Sequence, residues 1–541
     1  MRPMICLLSI LGSAGLCNSQ AQQVVLASYN SSRPPSSLSV AIIGAGAAGS
    51  STAYHLSRFA AEANLAINIT ILERNSYVGG RSTTINAYDD PGYPLELGAS
   101  IFVKVNHILV DAARTFNLTT SSFATAQIAG DRAPSLGIWD GNKFVITLSS
   151  SGATWWDTAK FLLRYGLAPI RTMRLMRTTV GKFLTMYDEP IFPFTSLTEA
   201  ADNVDLLGVT SIPGTRYLFD NGISASFAHD VIQASTRVNY AQNLELFHGL
   251  ETMVCMATDG AMAIQGGNWQ IFDHFITASD ANLLLNATAH SISRELDGTF
   301  TIQMASKSSQ DCRTTSENFD AVVIAAPFEG SKISLGDMIH KPGPVGYVNL
   351  HVTIFTSPHR LSPGFFGLNG NDDVPRTVLT TLLCDDAPET CFSVDGTAPD
   401  FFSISLLTAV QNPGTGSTEY AYKVFSHTAP SDRWLQDMLS TAEGAAENPI
   451  TWIHRKLWQS YPLETPKDTF ELIQLHDKLW YTGGMDSFIS TMETNALMGK
   501  NVAKLVVEEL QSHNDSQRPR LRDSEWPLKD RRQTSFCNST V

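Results

Sequence analysis

The chain has 541 residues, 43% of them hydrophobic and 17% charged, which supplies a large core and exceeds the length of one compact domain. Its formal net charge of -14 sets an acidic surface against phosphate backbones and argues against a nucleic-acid partner. No long block of like charge marks a polybasic membrane arm.

The chain opens with Arg2 and an apolar run from Met4 to Leu16, too short to span a bilayer and followed by the small-x-small triplet Ser19-Gln20-Ala21. Residues 1–21 are therefore expected to be a signal peptide, and 22–37, with Pro34-Pro35-Ser36-Ser37, a polar leader. Asn30, Asn68, Asn117, Asn286, Asn514 and Asn538 each begin an Asn-x-Ser/Thr sequon. Asn68 falls in a predicted core strand, so the glycosylation candidates are Asn30, Asn117, Asn286, Asn514 and Asn538. Entry into the secretory route follows, to a secreted or vesicle-lumen location. Such a lumen permits disulfides, and Cys384 and Cys391 are near enough in sequence to close a short loop. Cys255, Cys312 and Cys537 make an odd total, which leaves a thiol unpaired or intermolecular. No Cys-x-x-Cys pair or His cluster has metal-ligand spacing, so no metal is expected.

Ser39–Ile43 reads as a strand, Ser50–Ala63 as a helix and Ile67–Leu72 as a second strand, a βαβ unit. Between the first strand and the helix lies Gly44-Ala45-Gly46-Ala47-Ala48-Gly49. In this pattern Gly44 permits the tight turn, Gly46 lets backbone approach a pyrophosphate, and Gly49 lets helix and strand pack closely. Glu73 ends the second strand, where a carboxylate accepts ribose hydroxyls and disfavours the 2′-phosphate of NADP. Gly79-Gly80-Arg81 offers a second backbone approach, with Arg81 placed to pair with phosphate oxygens. Further on, 157–186 reads as one or two amphipathic helices. A strand begins at Leu283 and leads towards Ile292, another spans Phe319–Ala325, and a helix over Ser490–Leu510 closes the ordered chain.

Taken together, Glu73-Arg74-x(4)-Gly79-Gly80-Arg81 and Glu96-x-Gly98-Ala99-Ser100 resemble the FAD-binding opening of the flavin amine oxidase superfamily. Gly266-Gly267-Asn268 and Asp320–Pro327 match later pieces of that fold. A narrower resemblance, to the prenylcysteine oxidase (prenylcysteine lyase) family, rests on Arg237-Val238-Asn239-Tyr240-Ala241-Gln242-Asn243, His248-Gly249 and Asp259-Gly260-Ala261. The terminal blocks Tyr481-Thr482-Gly483-Gly484-Met485, Ser490–Glu493 and Ala496–Asn501 extend it.

The resemblance implies an α/β fold: a Rossmann-like FAD-binding domain from three discontinuous segments (38–108, 261–334, 456–511) and an α+β substrate-binding domain (109–260, 335–455). A polar tail follows from 512 to 541, and the resemblance extends to family members of lysosome-like or vacuolar compartments. It implies FAD held by Gly44, Gly46, Ala48, Gly49, Glu73, Arg74, Gly80, Arg81, Gly98, Ala99, Ser100, Gly484 and Met485. The attachment is expected to be non-covalent, since no cysteine lies in 481–485. The implied reaction is oxidative cleavage of a prenyl-cysteine thioether, with molecular oxygen as the final acceptor. A carbon-bound hydride needs no protein nucleophile. His248 is the candidate catalytic group or a packed histidine, and Arg237 and Asn239 bind the amino-acid end of a substrate or serve structure. The 157–186 region lines a prenyl pocket or is ordinary core. Two other readings stand beside this one: a related oxidase acting on an amine, amino acid or prenylated or sulfur-containing metabolite, and a non-enzymatic prenyl-binding protein.

Overall fold

The computed structural model describes residues 37–122, 133–148, 161, 163–307, 312–336, 340–383, 399–439 and 448–517. The expected signal, the leader up to residue 36, Asn30, Asn538, Cys384, Cys391 and Cys537 lie outside these residues, as do the side chains of Cys312 and Asn514.

Strand β1 (Leu38–Ile43), helix α1 (Ala47–Glu62) and strand β2 (Ile67–Leu72) form the βαβ unit. The last four residues of each strand are buried, as suits a strand covered on both faces. Asn68 sits at the outer end of β2 and is exposed, a correction to its placement in the core. The helix begins three residues before the sequence signal, because Gly46 is still extended while Ala47 is already helical. β1 is the centre of a six-stranded sheet. It pairs in parallel with β2 on one side and with Ala321–Ile324 on the other, Ile42 lying between Ile71 and Val323. Asn282–Leu284 extends the sheet beyond β2, and Leu479–Tyr481 and Gln474–His476 extend it at the opposite edge. The predicted run from Leu283 to Ile292 is two strands. Asn286 turns with φ 55°, and Ala287–Arg294 leaves to join Phe300–Lys307 and Cys312–Phe319 in an antiparallel sheet of three.

The last described helix, Met492–Gln517, lies against α1. A Cβ on Gly499 would stand 2.3 Å from the Ala48 carbonyl oxygen, so the two backbones touch. Ser51 Oγ donates to the Ala496 carbonyl (2.6 Å), and Glu493 accepts from the backbone N–H groups of Ile108 and Leu109 and from the Tyr187 hydroxyl.

A seven-stranded sheet stands beside this assembly. Its order is Trp452–Pro462, Tyr347–Ser357, Thr418–Ser426, Phe401–Gln411, Thr377–Thr380, Leu136–Trp139 and Phe144–Leu148. Within 157–186 residues 161 and 163–165 are helical, and the helix Ala168–Leu184 follows, continued by a 3-10 turn at Thr185–Tyr187.

Candidate functional site

Gly44 has φ +112°, and a Cβ there would lie 2.6 Å from the Ala325 carbonyl oxygen. Both facts demand glycine. At Gly49 a Cβ would stand 1.9 Å from the Gly44 carbonyl oxygen, so this residue sets how closely α1 approaches β1. Gly46 differs: its nearest neighbour to an added Cβ is Gly80 Cα at 3.9 Å, across open space. No side chain caps α1, which leaves its first N–H groups aimed outward at the end of a helix dipole. Glu73 ends β2 beside them. Its Oε2 accepts from Ala45 N–H (2.9 Å), and its Oε1 accepts from the backbone and side-chain N–H groups of Asn75. A carboxylate has about four acceptor sites, so capacity remains for a hydroxyl of a ligand.

These groups border one cavity of about 1550 Å³. Gly44, Gly46, Ala48, Glu73, Arg74, Gly80, Arg81, Gly98, Ala99 and Ser100 all line it. Gly49 does not reach it and acts through packing. Gly484 and Met485 do not line it either, contrary to expectation; Thr482, Gly483 and Asp486 do. The 3-10 turn at Gly483–Ser487 is the reason, since three residues per turn put 483 and 486 on one face while Met485 enters the core.

Arg81 is committed differently from the phosphate pairing its motif suggested. Its Nη2 donates to both oxygens of Asp486 (2.8 and 3.1 Å), and its Nη1 donates to the Ser460 carbonyl. Asp486 also accepts from the Tyr347 hydroxyl and the Asn495 amide. Burial works to raise the Asp486 pKa, but the Arg81 charge and these hydrogen bonds outweigh it and hold the carboxyl below its usual range. Its contribution to stability is thus present above the ordinary Asp pKa of about 3.9 and lost as pH falls through the lower folded value. Asp486→Ala is expected to destabilise by about 3 kcal/mol, at the low end for a broken buried pair because Arg81 retains access to the cavity. Thermal melts from neutral to acidic pH check it: the gap from wild type should narrow below about pH 4, and equal melts at neutral pH would refute it.

Lys423, on the strand Thr418–Ser426, is a site residue the sequence reading missed. It lines the cavity, buried, with Nζ donating to the Glu96 carbonyl and to Ser100 Oγ (both 3.1 Å). Burial pushes its ammonium down to about 8, against the pull of Glu96. Burial pushes Glu96 up to about 7, opposed by the Asn268 N–H and by Lys423. The available signal was a lone cation in the run Tyr420–Phe425, which is otherwise apolar and aromatic.

The helix Gln233–Tyr240 turns Ser235, Val238 and Asn239 towards the cavity. Arg237 follows Ser235 by about 200° of helical rotation and faces the core instead. There its guanidinium donates to Thr380 Oγ1, Asn243 Oδ1 and the Phe401 carbonyl and lies over the Phe402 ring. Arg237 is therefore corrected from substrate ligand to structural tie; Asn239 stays at the cavity wall.

His248 is corrected too. It is fully buried, does not line the cavity and caps the helix Gly249–Cys255, its Nδ1 accepting from Glu251 N–H (3.1 Å). Burial, with the Lys467 charge adding to it, pushes its pKa down to about 3, so the ring is neutral. Since Nδ1 accepts, the proton sits on Nε2, 3.3 Å from Glu464 Oε2. Glu251 joins this pair in a buried cluster whose candidate ligand atoms lie within 4.8 Å of one another, a grouping the chain spacing did not show. With Nε2 protonated, the imidazole has no lone pair to give a cation. His248→Ala is expected to cost about 2 kcal/mol through the lost cap and the void left behind. Turnover per cofactor-loaded molecule should match wild type; a large fall in kcat at full loading would restore His248 to the chemistry.

The rest of the wall is largely apolar. Leu136, Ile138, Ile146 and Leu148 come from the seven-stranded sheet, and Val180, Phe183 and Leu184 from the helix Ala168–Leu184. Leu175 and Met176 of the same helix pack into a core cluster, so the region both lines the cavity and fills the interior.

Comparison with known proteins gives a consistent pattern. A family model described as prenylcysteine lyase matches residues 148–518, and one described as an NAD(P)-binding Rossmann-like domain matches 42–114. The chain is 29% identical over 492 residues to farnesylcysteine lyase of Arabidopsis thaliana, covering 86% of this chain and 88% of the relative. It is 24% identical over 496 residues to prenylcysteine oxidase 1 of Homo sapiens, covering 88% and 90%. Among solved structures, putrescine oxidase bound to putrescine superposes with TM-score 0.52 at 12% identity, over 87% of this chain and 99% of that one. A CLA-producing fatty acid isomerase from P. acnes gives 0.52 at 14%, over 85% and 96%. At these identities the structural likeness is one of fold.

Proposed function

The chain belongs to the prenylcysteine lyase family, and from that premise we propose that it is an FAD-dependent thioether oxidase. With water and molecular oxygen it converts prenyl-L-cysteine to a prenyl aldehyde, cysteine and hydrogen peroxide, water supplying the aldehyde oxygen and oxygen taking the two electrons. The observation that carries this reading is that the glycine cradle and an apolar-walled space are parts of one cavity.

The residues fit FAD. Gly46 leaves backbone open where a diphosphate must approach, Gly80 packs close beside it, the free N–H groups of α1 meet the diphosphate charge, and Glu73 is placed for ribose hydroxyls. Bound there, the flavin supplies the acceptor for a hydride from the allylic carbon next to sulfur and passes two electrons on to oxygen. The protein orients and excludes. Val180, Phe183, Leu184 and the sheet residues Ile138 and Ile146 offer an apolar bed to the tail, which fixes the reacting carbon without a covalent hold. Asn239 is the polar candidate for the amino-acid end. Cys255, also in the wall, does not serve as nucleophile: burial and the neighbouring Glu251 and Glu464 hold its thiol well above the usual range. A lumenal location belongs to the same proposal. Asn117 and Asn286 support it, being exposed at left-handed turns on the surface, as a glycan acceptor must be.

Anaerobic addition of farnesylcysteine to the purified yellow protein tests the function. Bleaching of the flavin band, reversed by air with peroxide formed, is the expected result. A band that persists would move the assignment to an amine, an amino acid or another pathway metabolite, and a protein that cannot be loaded with FAD would leave prenyl binding alone.

A further inference from the structure

The stretch between Asp157 and Asp188 contains Lys160, Arg164, Arg171, Arg174, Arg177 and Lys182 and no acidic residue, in a chain whose net charge is -14. The cations are spaced rather than consecutive, so they form no linear block. Arg164 and Lys182 pair with Asp230 and Asp205, but the fold aligns two of the others: on the helix Ala168–Leu184, Ile170, Arg174 and Arg177 follow one another at intervals of four and three along one exposed face. Arg174 and Arg177 have no ion-pair partner among the described residues. The same region exposes large apolar side chains that a surface in water alone gives no reason to keep: Leu163 is 86% exposed, Leu167 57%, Ile170 51% and Met173 52%. Phe219, 71% exposed, stands near them, because Arg171 Nη1 donates to the Gly222 carbonyl (2.7 Å) and holds that turn against the helix.

This face adjoins the cavity mouth. Arg164 Nη1 donates to the Val145 carbonyl (2.7 Å), which ties the start of the patch to the strand Phe144–Leu148. Leu148 of that strand lines the cavity while remaining 39% exposed, and Phe161 lines it two residues before Leu163. Exposed apolar side chains beside arginines are the pattern of a segment that lies in a bilayer interface, the apolar groups under the headgroups and the guanidinium groups at the phosphates. Among the described residues no helix is long and apolar enough to cross a membrane.

We infer that this face docks on an anionic phospholipid membrane and sets the cavity mouth against it, so that a membrane-dissolved substrate enters without crossing water. The docking rests on the patch itself; only the entry of a lipid-like substrate rests on the proposed function.

Flotation of the full-length, FAD-loaded protein with vesicles tests it. The vesicles are phosphatidylcholine alone or phosphatidylcholine with about one third phosphatidylserine. Wild type is expected to float with the anionic vesicles and to be released by about 1 M salt. Arg174→Glu with Arg177→Glu should lower the partition coefficient more than tenfold, and Leu167→Ser with Ile170→Ser and Met173→Ser should abolish flotation. None of these residues lines the cavity, so both variants should keep wild-type flavin content, melting temperature and turnover of a water-soluble short-chain thioether. Wild type that stays at the bottom of both gradients, or variants that float as it does, would overturn the inference. So would self-association of wild type without lipid that the serine substitutions remove, since a second copy would then be the occupant. No substrate is present during flotation, so a failure there is distinct from a failure of the thioether assignment.

Discussion

Gly46→Ala is expected to yield a protein that folds as wild type does yet leaves purification without its flavin, whereas Gly49→Ala should lose both stability and flavin. Gly46 has a backbone conformation open to any residue, and an added methyl meets nothing of the protein closer than Gly80 Cα at 3.9 Å. The melting temperature of the cofactor-free form should therefore stay within the range of a neutral substitution. The methyl would instead occupy the approach needed by the diphosphate, which weakens FAD by about 10- to 100-fold if it acts like ordinary overpacking. At Gly49 the methyl would fall 1.9 Å from the Gly44 carbonyl oxygen, so α1 must move off β1. That costs about 3 kcal/mol and misplaces the N–H groups that face the ligand. Flavin absorbance per protein, together with melts of the apo proteins, separates the two. Flavin-replete Gly46→Ala would remove the glycine turn from the cofactor site.

The second large effect concerns Lys423. On the proposed function, a buried ammonium in the cavity wall would stabilise negative charge that develops on oxygen as electrons reach it, since fixed charges in a dry site are worth far more than in water. Lys423→Met should slow the return of flavin colour in air by about 10²- to 10³-fold, while anaerobic bleaching by substrate changes only a few-fold. The pH dependence has a definite sign. The ammonium form is present below its pKa of about 8 and lost above it, so wild-type reoxidation should fall as pH rises through that value. Lys423→Arg should hold its rate to higher pH. Stopped-flow mixing of reduced protein with oxygen measures both, and reoxidation of Lys423→Met at the wild-type rate would clear the residue of this role.

The difference between these positions explains what the sequence made legible. The unit from Leu38 to Glu73 is local: two strands, a helix and a glycine turn lie within forty residues, so periodicity and spacing define it and its cofactor chemistry together. Lys423, Asp486 and Trp458 reach the cavity from distant segments, and nothing in their own neighbourhoods says which way a side chain will point. Errors of orientation follow the same logic. Arg237 and Asn239 are two residues apart on one helix, and only the packing of that helix decides that one faces the core and the other the cavity. His248 is polar and stands within a motif, but one hydrogen bond to Glu251 N–H makes it a helix cap. Met485 lost its assigned place to Thr482, Gly483 and Asp486 because a 3-10 turn rather than an extended segment carries that motif.

The seal between Ser51 and Ala496 joins positions 445 residues apart. A ribosome delivers α1 early, but the helix Met492–Gln517 that closes over it emerges last. At ordinary rates of elongation the nascent chain spends tens of seconds with the flavin cradle complete in sequence and open in space. During that interval the apolar face of α1 and the unpaired edge of Ala321–Ile324 are exposed, which makes chaperones its natural company. Met492, Glu493, Thr494 and Asn495 of that helix complete the cavity wall, so cofactor loading is expected to come late in biosynthesis, and a chain stopped before the last helix is expected to lose the flavin however intact the glycine turn remains.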